Sequence, residues 1–61
     1  MQPPTVREVI GRLESEGWAL ARQSGDHRMY VRDGRAIPVA GKLKEHLDRG
    51  TYGAIKRAAG W

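Results

Sequence analysis

With no cysteine anywhere in 61 residues, this chain has to hold itself together by side-chain packing alone. Disulfides and thiolate zinc sites, the usual staples of very small domains, are both unavailable to it, and so is thiol catalysis. A chain this short buries only about 60% of its unfolded surface, so one thin core in one domain spanning 1–61 is all it can build. That leaves no space for a second domain or a deep cofactor cleft and excludes Rossmann and TIM-barrel enzymes. Two histidines are too few to fill a tetrahedral metal sphere unless carboxylates complete it, and neither a metal nor a cofactor is expected. Met1-Gln2-Pro3-Pro4 lacks the basic and apolar regions of a signal peptide, and no apolar run approaches the roughly 18 residues of a spanning helix. The expectation is a cytoplasmic protein with no membrane partner.

The pattern divides the chain into five elements. Thr5 and Glu8 form a T-x-x-E capping box, Val6, Val9, Ile10 and Leu13 follow at helical spacing, and Gly17 suits a left-handed helix end, which predicts a first helix over Thr5 to Glu16. Gly11 in its middle points to close approach of a sheet. A first strand places Trp18, Leu20 and Arg22 on one face, and Ser24-Gly25-Asp26 reads as a turn. In the second strand His27, Met29 and Val31 alternate with Arg28, Tyr30 and Arg32, with Tyr30 placed on the open sheet face. Asp33-Gly34 is a two-residue hairpin signal that wants positive φ at both positions. A third strand runs from about Arg35 to Val39, with Pro38 marking it as an edge. A structured connection carries Leu43 and Leu47, and Gly50-Thr51 opens a last helix, with Thr51 as its cap, Tyr52, Ile55, Ala58 and Ala59 inward, and Gly60 at its end. Trp18 covers the core and Trp61 packs back on this helix. The order α-β-β-β-α predicts an α+β fold in which two helices cover one face of a three-stranded antiparallel sheet, the other face being left for solvent or a ligand.

The basic charge is concentrated. Residues 1–17 carry a net −1 and residues 18–61 a net +5, within a total of +4. Such a balance favours an anionic partner, nucleic acid first, against the bland alternative of solubilising surface charge.

The run Gly17-Trp18-Ala19-Leu20-Ala21-Arg22-Gln23-Ser24-Gly25-Asp26-His27-Arg28-Met29-Tyr30, then Ile37-Pro38-Val39, then Gly50-Thr51-Tyr52-Gly53-Ala54-Ile55-Lys56-Arg57-Ala58-Ala59-Gly60, resembles HicA, the small mRNA-cleaving toxins of bacterial HicAB toxin-antitoxin systems. The resemblance implies a double-stranded-RNA-binding-domain-like fold, endoribonuclease activity on mRNA dependent on one histidine, arrest of translation, and neutralisation by a HicB-type antitoxin. The free protein is expected to be a monomer. The family's G-S-H motif falls on Gly25-Asp26-His27, which carries the catalytic role to His27. Three positions depart from the family pattern: Asp26 replaces a small residue, Ala40 stands where many members have a second histidine, and Gly53 replaces a basic residue.

The chemistry has its own logic. Metal-free RNA cleavage needs a base for the 2′-hydroxyl proton, positive charge around the phosphorane-like transition state, and an acid for the leaving 5′-oxygen. With an unperturbed pKa of about 6.5, histidine serves as either acid or base. His27 is the candidate, beside the turn glycine Gly25, where a backbone phosphate can come close. The second proton carrier is left open among Tyr30, a lysine and water. His46, in a charged connection, reads as solvated surface, with pairing to Glu45 or Asp48 and contact with RNA as equal alternatives. Arg22, Arg28, Lys42, Lys44, Lys56 and Arg57 are the candidate phosphate contacts. Two other classes are compatible with the same residues: a non-catalytic RNA-binding module, and a basic domain built to meet an acidic protein.

Overall fold

In the computed structural model, which describes all 61 residues, the elements follow as α1 (Val6–Ser15), β1 (Ala19–Ser24), β2 (His27–Arg32), β3 (Arg35–Ala40) and α2 (Arg49–Ala59). The strands form an antiparallel meander in the order β1-β2-β3, so β3, with its Pro38, lies at an edge as its missing amide hydrogen requires.

Helix α1 starts where local chemistry dictates. The Glu8 amide donates to the Thr5 hydroxyl at 3.2 Å and the Thr5 amide donates to the Glu8 carboxylate at 2.8 Å, completing the capping box. The remaining free amides of the first turn are met from far along the chain. Val6 donates to the Glu45 carbonyl at 2.9 Å and Arg7 to the Leu43 carbonyl at 3.0 Å, and the Leu47 amide returns a bond to Pro4 at 3.0 Å. The connection after β3 is thereby zipped onto the N-terminal segment, and Leu47 is pressed into the core.

That core is formed by Val6, Val9, Ile10 and Leu13 of α1, Trp18, Tyr30, Ile37 and Val39 of the sheet region, Leu47, and Ile55 and Ala59 of α2. Both helices therefore cover one face of the sheet, as expected. Tyr30 belongs to this set, 2% exposed, and not to the open face on which the sequence reading placed it. Gly11 touches nothing, so the close approach expected there does not occur. Ala58, expected inward, is exposed.

The two hairpin turns follow their glycines. Asp33 and Gly34 both have positive φ, 50° and 78°, the twist-matched two-residue turn the sequence signals. Gly25, at φ 58°, opens a two-residue loop with Asp26, so Ser24 belongs to β1 and not to the turn.

At α2 the cap is Asp48, not Thr51. The Asp48 carboxylate accepts from the Thr51 amide at 3.1 Å and from the Thr51 hydroxyl at 2.6 Å, so the threonine supports the cap instead of forming it. Trp61 does not fold back on α2 alone. Its indole N–H donates to the Glu16 carboxylate at 2.7 Å and Arg12 lies 4.0 Å over its ring, tying the end of the chain to the end of α1.

Candidate functional site

His27 opens β2, paired with Ser24 of β1 on one side and Ala40 of β3 on the other. Directly opposed residues of an antiparallel sheet share a face, and Tyr30, three residues along, faces the core, so His27 and its partners face away from the helices. There the surface is hollowed into a concavity of about 420 Å³ lined by Arg22, Ser24, His27, Arg28, Met29, Pro38, Val39 and Ala40. His27 is exposed on it, and the floor is largely small or apolar.

Arg22 reaches this face because β1 is irregular. Leu20 pairs with Tyr30, but the next pair is Arg22 with Met29, which leaves Ala21 as an extra, unpaired residue. Strict alternation puts Leu20 and Arg22 on the same side. The bulge shifts the phase, leaving Leu20 beside Tyr30 on the helix side and turning Arg22 toward His27. Ser24 is the residue sequence reasoning missed. Its signal was the two-residue loop with glycine first, which registers Ser24 against His27.

Arg28 is placed differently from Arg22. It pairs with Val39, a core residue, and its Nη1 donates to the Gly41 carbonyl at 3.0 Å and the Asp26 carbonyl at 3.4 Å. The Asp26 carbonyl also accepts from the Gly41 amide at 3.1 Å. The Asp26 side chain is exposed and takes no part in the two ion pairs of the molecule, Arg12 with Glu16 and Arg32 with Asp33. Gly25, whose carbonyl accepts from the Gln23 amide group at 3.0 Å, lies in the β1–β2 turn two residues before His27.

Lys42 and Lys44 are exposed on the connection that leaves the sheet at Gly41, beside the Gly25-Asp26 turn and hence at the His27 end. Lys56 and Arg57 are not. The Lys56 carbonyl accepts from the Trp61 amide, Trp61 binds Glu16, and the Glu16 carbonyl accepts from Arg32, at the other end of β2 from His27. The length of β2, about 17 Å, and the thickness of the sheet separate these two side chains from the concavity. Lys56 instead lies 4.8 Å over the Tyr52 ring, and Arg57 folds over Gly53.

Two further candidates are reassigned by their surroundings. The Tyr30 hydroxyl is held protonated, its pKa raised by burial and by the charge of Glu14, and the ring lies on the wrong face to serve His27. His46 pairs with neither Glu45 nor Asp48; its Nδ1 is hydrogen-bonded to the Pro3 carbonyl at 2.6 Å within a single bridge to Thr5, which makes it part of the zipper at the N-terminal segment. The two histidines therefore do not converge.

No helix is long and apolar enough to cross a membrane. No curated protein matches the chain as an individual relative. A family model described as the HicA toxin of bacterial toxin-antitoxin systems matches residues 6–61, from the first residue of α1 through the last residue of the chain. With α1, the meander that carries Gly25 and His27, and α2 all inside that match, the chain belongs to the HicA toxin family.

Proposed function

We propose that this toxin is a metal-independent endoribonuclease that cleaves mRNA and so arrests translation in the cytoplasm, with His27 as its general acid/base. The observation that carries the proposal is the exposed His27 in the same concavity as Arg22 and Ser24, beside the Gly25 turn, on the one sheet face the helices leave free. An RNA strand laid along this face meets the chemistry in a fixed order. Arg22 neutralises the phosphate, and its charge holds the extra negative charge that builds on the phosphorus as the 2′-oxygen attacks. His27 takes the 2′-hydroxyl proton or delivers one to the leaving 5′-oxygen, a contribution of roughly 10²- to 10⁴-fold. With Tyr30 removed, the second proton carrier is water or a lysine, and Lys42 and Lys44 stand at the right end of the sheet.

Binding is electrostatic and indifferent to sequence. Arg22, Lys42 and Lys44 mark a path for the backbone around the His27 end of the sheet, and Met29, Pro38 and Ala40 offer an apolar floor to a base. No aromatic ring lies in this floor, so stacking contributes little. The family membership brings a cognate antitoxin as partner. A HicB-type antitoxin that covers the concavity would present acidic groups to Arg22 and the lysines, blocking His27 by the same charge that draws RNA.

The test is incubation of the purified chain and its His27→Ala variant with a long single-stranded RNA in EDTA, the fragments resolved on a gel. Cleavage by the parent alone is expected. Salt-sensitive binding without cleavage by either would replace the nuclease with an RNA-binding module, and failure to bind RNA at all would leave the basic surface to an acidic protein.

A further inference from the structure

We infer that Arg28 is a positioning residue that holds His27 in place through the Gly41 and Asp26 carbonyls, and not an RNA contact. The inference deepens the nuclease reading and rests on it. Three observations meet at one point. The regular ladder between β2 and β3 ends at the His27–Ala40 pair. Beyond it the Gly41 amide donates to the Asp26 carbonyl at 3.1 Å. Arg28 Nη1 then donates to both the Gly41 and the Asp26 carbonyls, at 3.0 and 3.4 Å.

A strand end beside a glycine turn frays unless something closes it, because Gly25 and Gly41 both occupy positive-φ conformations that the free chain leaves readily. Arg28 closes it with a charge-assisted donor, stronger than a neutral one. Arg28 is half-buried and lines the concavity together with His27, but its Nη1 is occupied by the two backbone carbonyls. Of the two arginines that line the concavity, Arg22 has no ion-pair partner within the chain and Arg28 is committed to backbone carbonyls. The same fastening fixes where Lys42 leaves the sheet, since Lys42 follows Gly41 directly.

The experiment compares the full chain with Arg28→Gln and Arg28→Lys in three measurements: single-turnover cleavage at saturating RNA, RNA affinity across a salt series, and amide hydrogen exchange at Gly41 with Leu13 as internal reference. Arg28→Gln is expected to slow cleavage roughly 10- to 100-fold, the scale of a small misplacement of a catalytic group, with affinity and salt slope unchanged. Gly41 exchange should rise while Leu13 stays protected, and Arg28→Lys, which keeps a donor, should recover part of both effects. A salt slope reduced by about 0.7, the share of one phosphate contact on a single strand, with Gly41 exchange unchanged, would overturn the inference. A parent that binds RNA without cutting it would instead remove the nuclease reading, and the fastening itself stands or falls on the Gly41 exchange of the Arg28→Gln variant.

Discussion

The two faces of the three-stranded sheet are made from alternating residues of the same strands and share almost nothing else. On the covered face Tyr30, Ile37 and Val39 meet the apolar sides of both helices, and Arg32 donates to the Glu16 carbonyl at 2.7 Å and lies 4.7 Å over the ring of Trp18, whose buried indole N–H has no hydrogen-bond partner. On the open face His27, Arg22 and Ser24 line a concavity, and neither His27 nor Arg22 has an ion-pair partner. A protein of this size has only enough apolar surface for one core, so the second face is released from packing and is free to carry chemistry. Stability and activity should therefore respond to different residues on the two sides.

The largest effects test that separation directly. His27→Ala should cost roughly 10²- to 10⁴-fold in RNA cleavage while leaving the thermal midpoint nearly unchanged, because the side chain is exposed and satisfies no buried group. A midpoint that falls by many degrees would show the open face to be part of the scaffold. From the other side, Leu13→Ala removes a side chain with 0% exposure and should cost about 2–5 kcal/mol in a denaturant melt. That is a large share of the roughly 3–9 kcal/mol expected of a domain this size, so cleavage in this variant should fall only in proportion to the unfolded fraction.

A smaller effect sharpens the assignment of the two arginines. Arg22→Ala should weaken RNA binding and reduce the salt slope by about 0.7, with little change in stability. An unchanged slope would mean that the bulge at Ala21 does not serve RNA. The smallest effect belongs to the periphery of the covered face. Glu16 is held below the ordinary carboxylate range by the Trp61 indole, Glu8 by the backbone and side chain of Thr5, and Asp48 by the hydroxyl and amide of Thr51. All three pKa values are lowered on folding, so their contribution is complete above the unfolded carboxylate range near 4.5 and is lost as pH falls through the lowered values. A thermal midpoint followed from pH 6 downward should decline through that window, and Glu16→Gln should flatten the decline.

The elements themselves were largely legible, and for a local reason. The Thr5–Glu8 box, the Asp33-Gly34 turn, Gly17 and Gly60 each act within a few residues of where they stand, so reading them in order returns α1, the hairpin and the helix ends nearly at their observed limits. His27 and Gly25 were legible as a candidate pair because they stand two residues apart in the chain. The sequence reads Thr51 as the cap where the structure has Asp48, because both are good capping residues and only the backbone geometry decides which one lies outside the helix. The sequence alone points Tyr30 to the wrong face because its strand alternates two mixed sets, His27-Met29-Val31 and Arg28-Tyr30-Arg32, neither of them purely apolar. What settles it is that Tyr30 lies between Leu20 and Ile37 in the assembled sheet.

The sequence by itself determined the order of elements, the positive φ of the Asp33-Gly34 turn, the absence of any thiol chemistry and the identity of the one histidine beside a glycine turn. All of these rest on residue types or on contacts within about one turn of chain. Tertiary structure alone decided that Ala21 bulges and sends Arg22 to the face of His27, and that Arg28 fastens Gly41. It also decided that His46 holds Pro3, that Trp61 binds Glu16, and that Lys56 and Arg57 lie far from the concavity. Those contacts join residues 13, 43 and 45 positions apart. Their loop-closure entropy is repaid only by the collective burial of the core, and no short stretch of sequence carries that term.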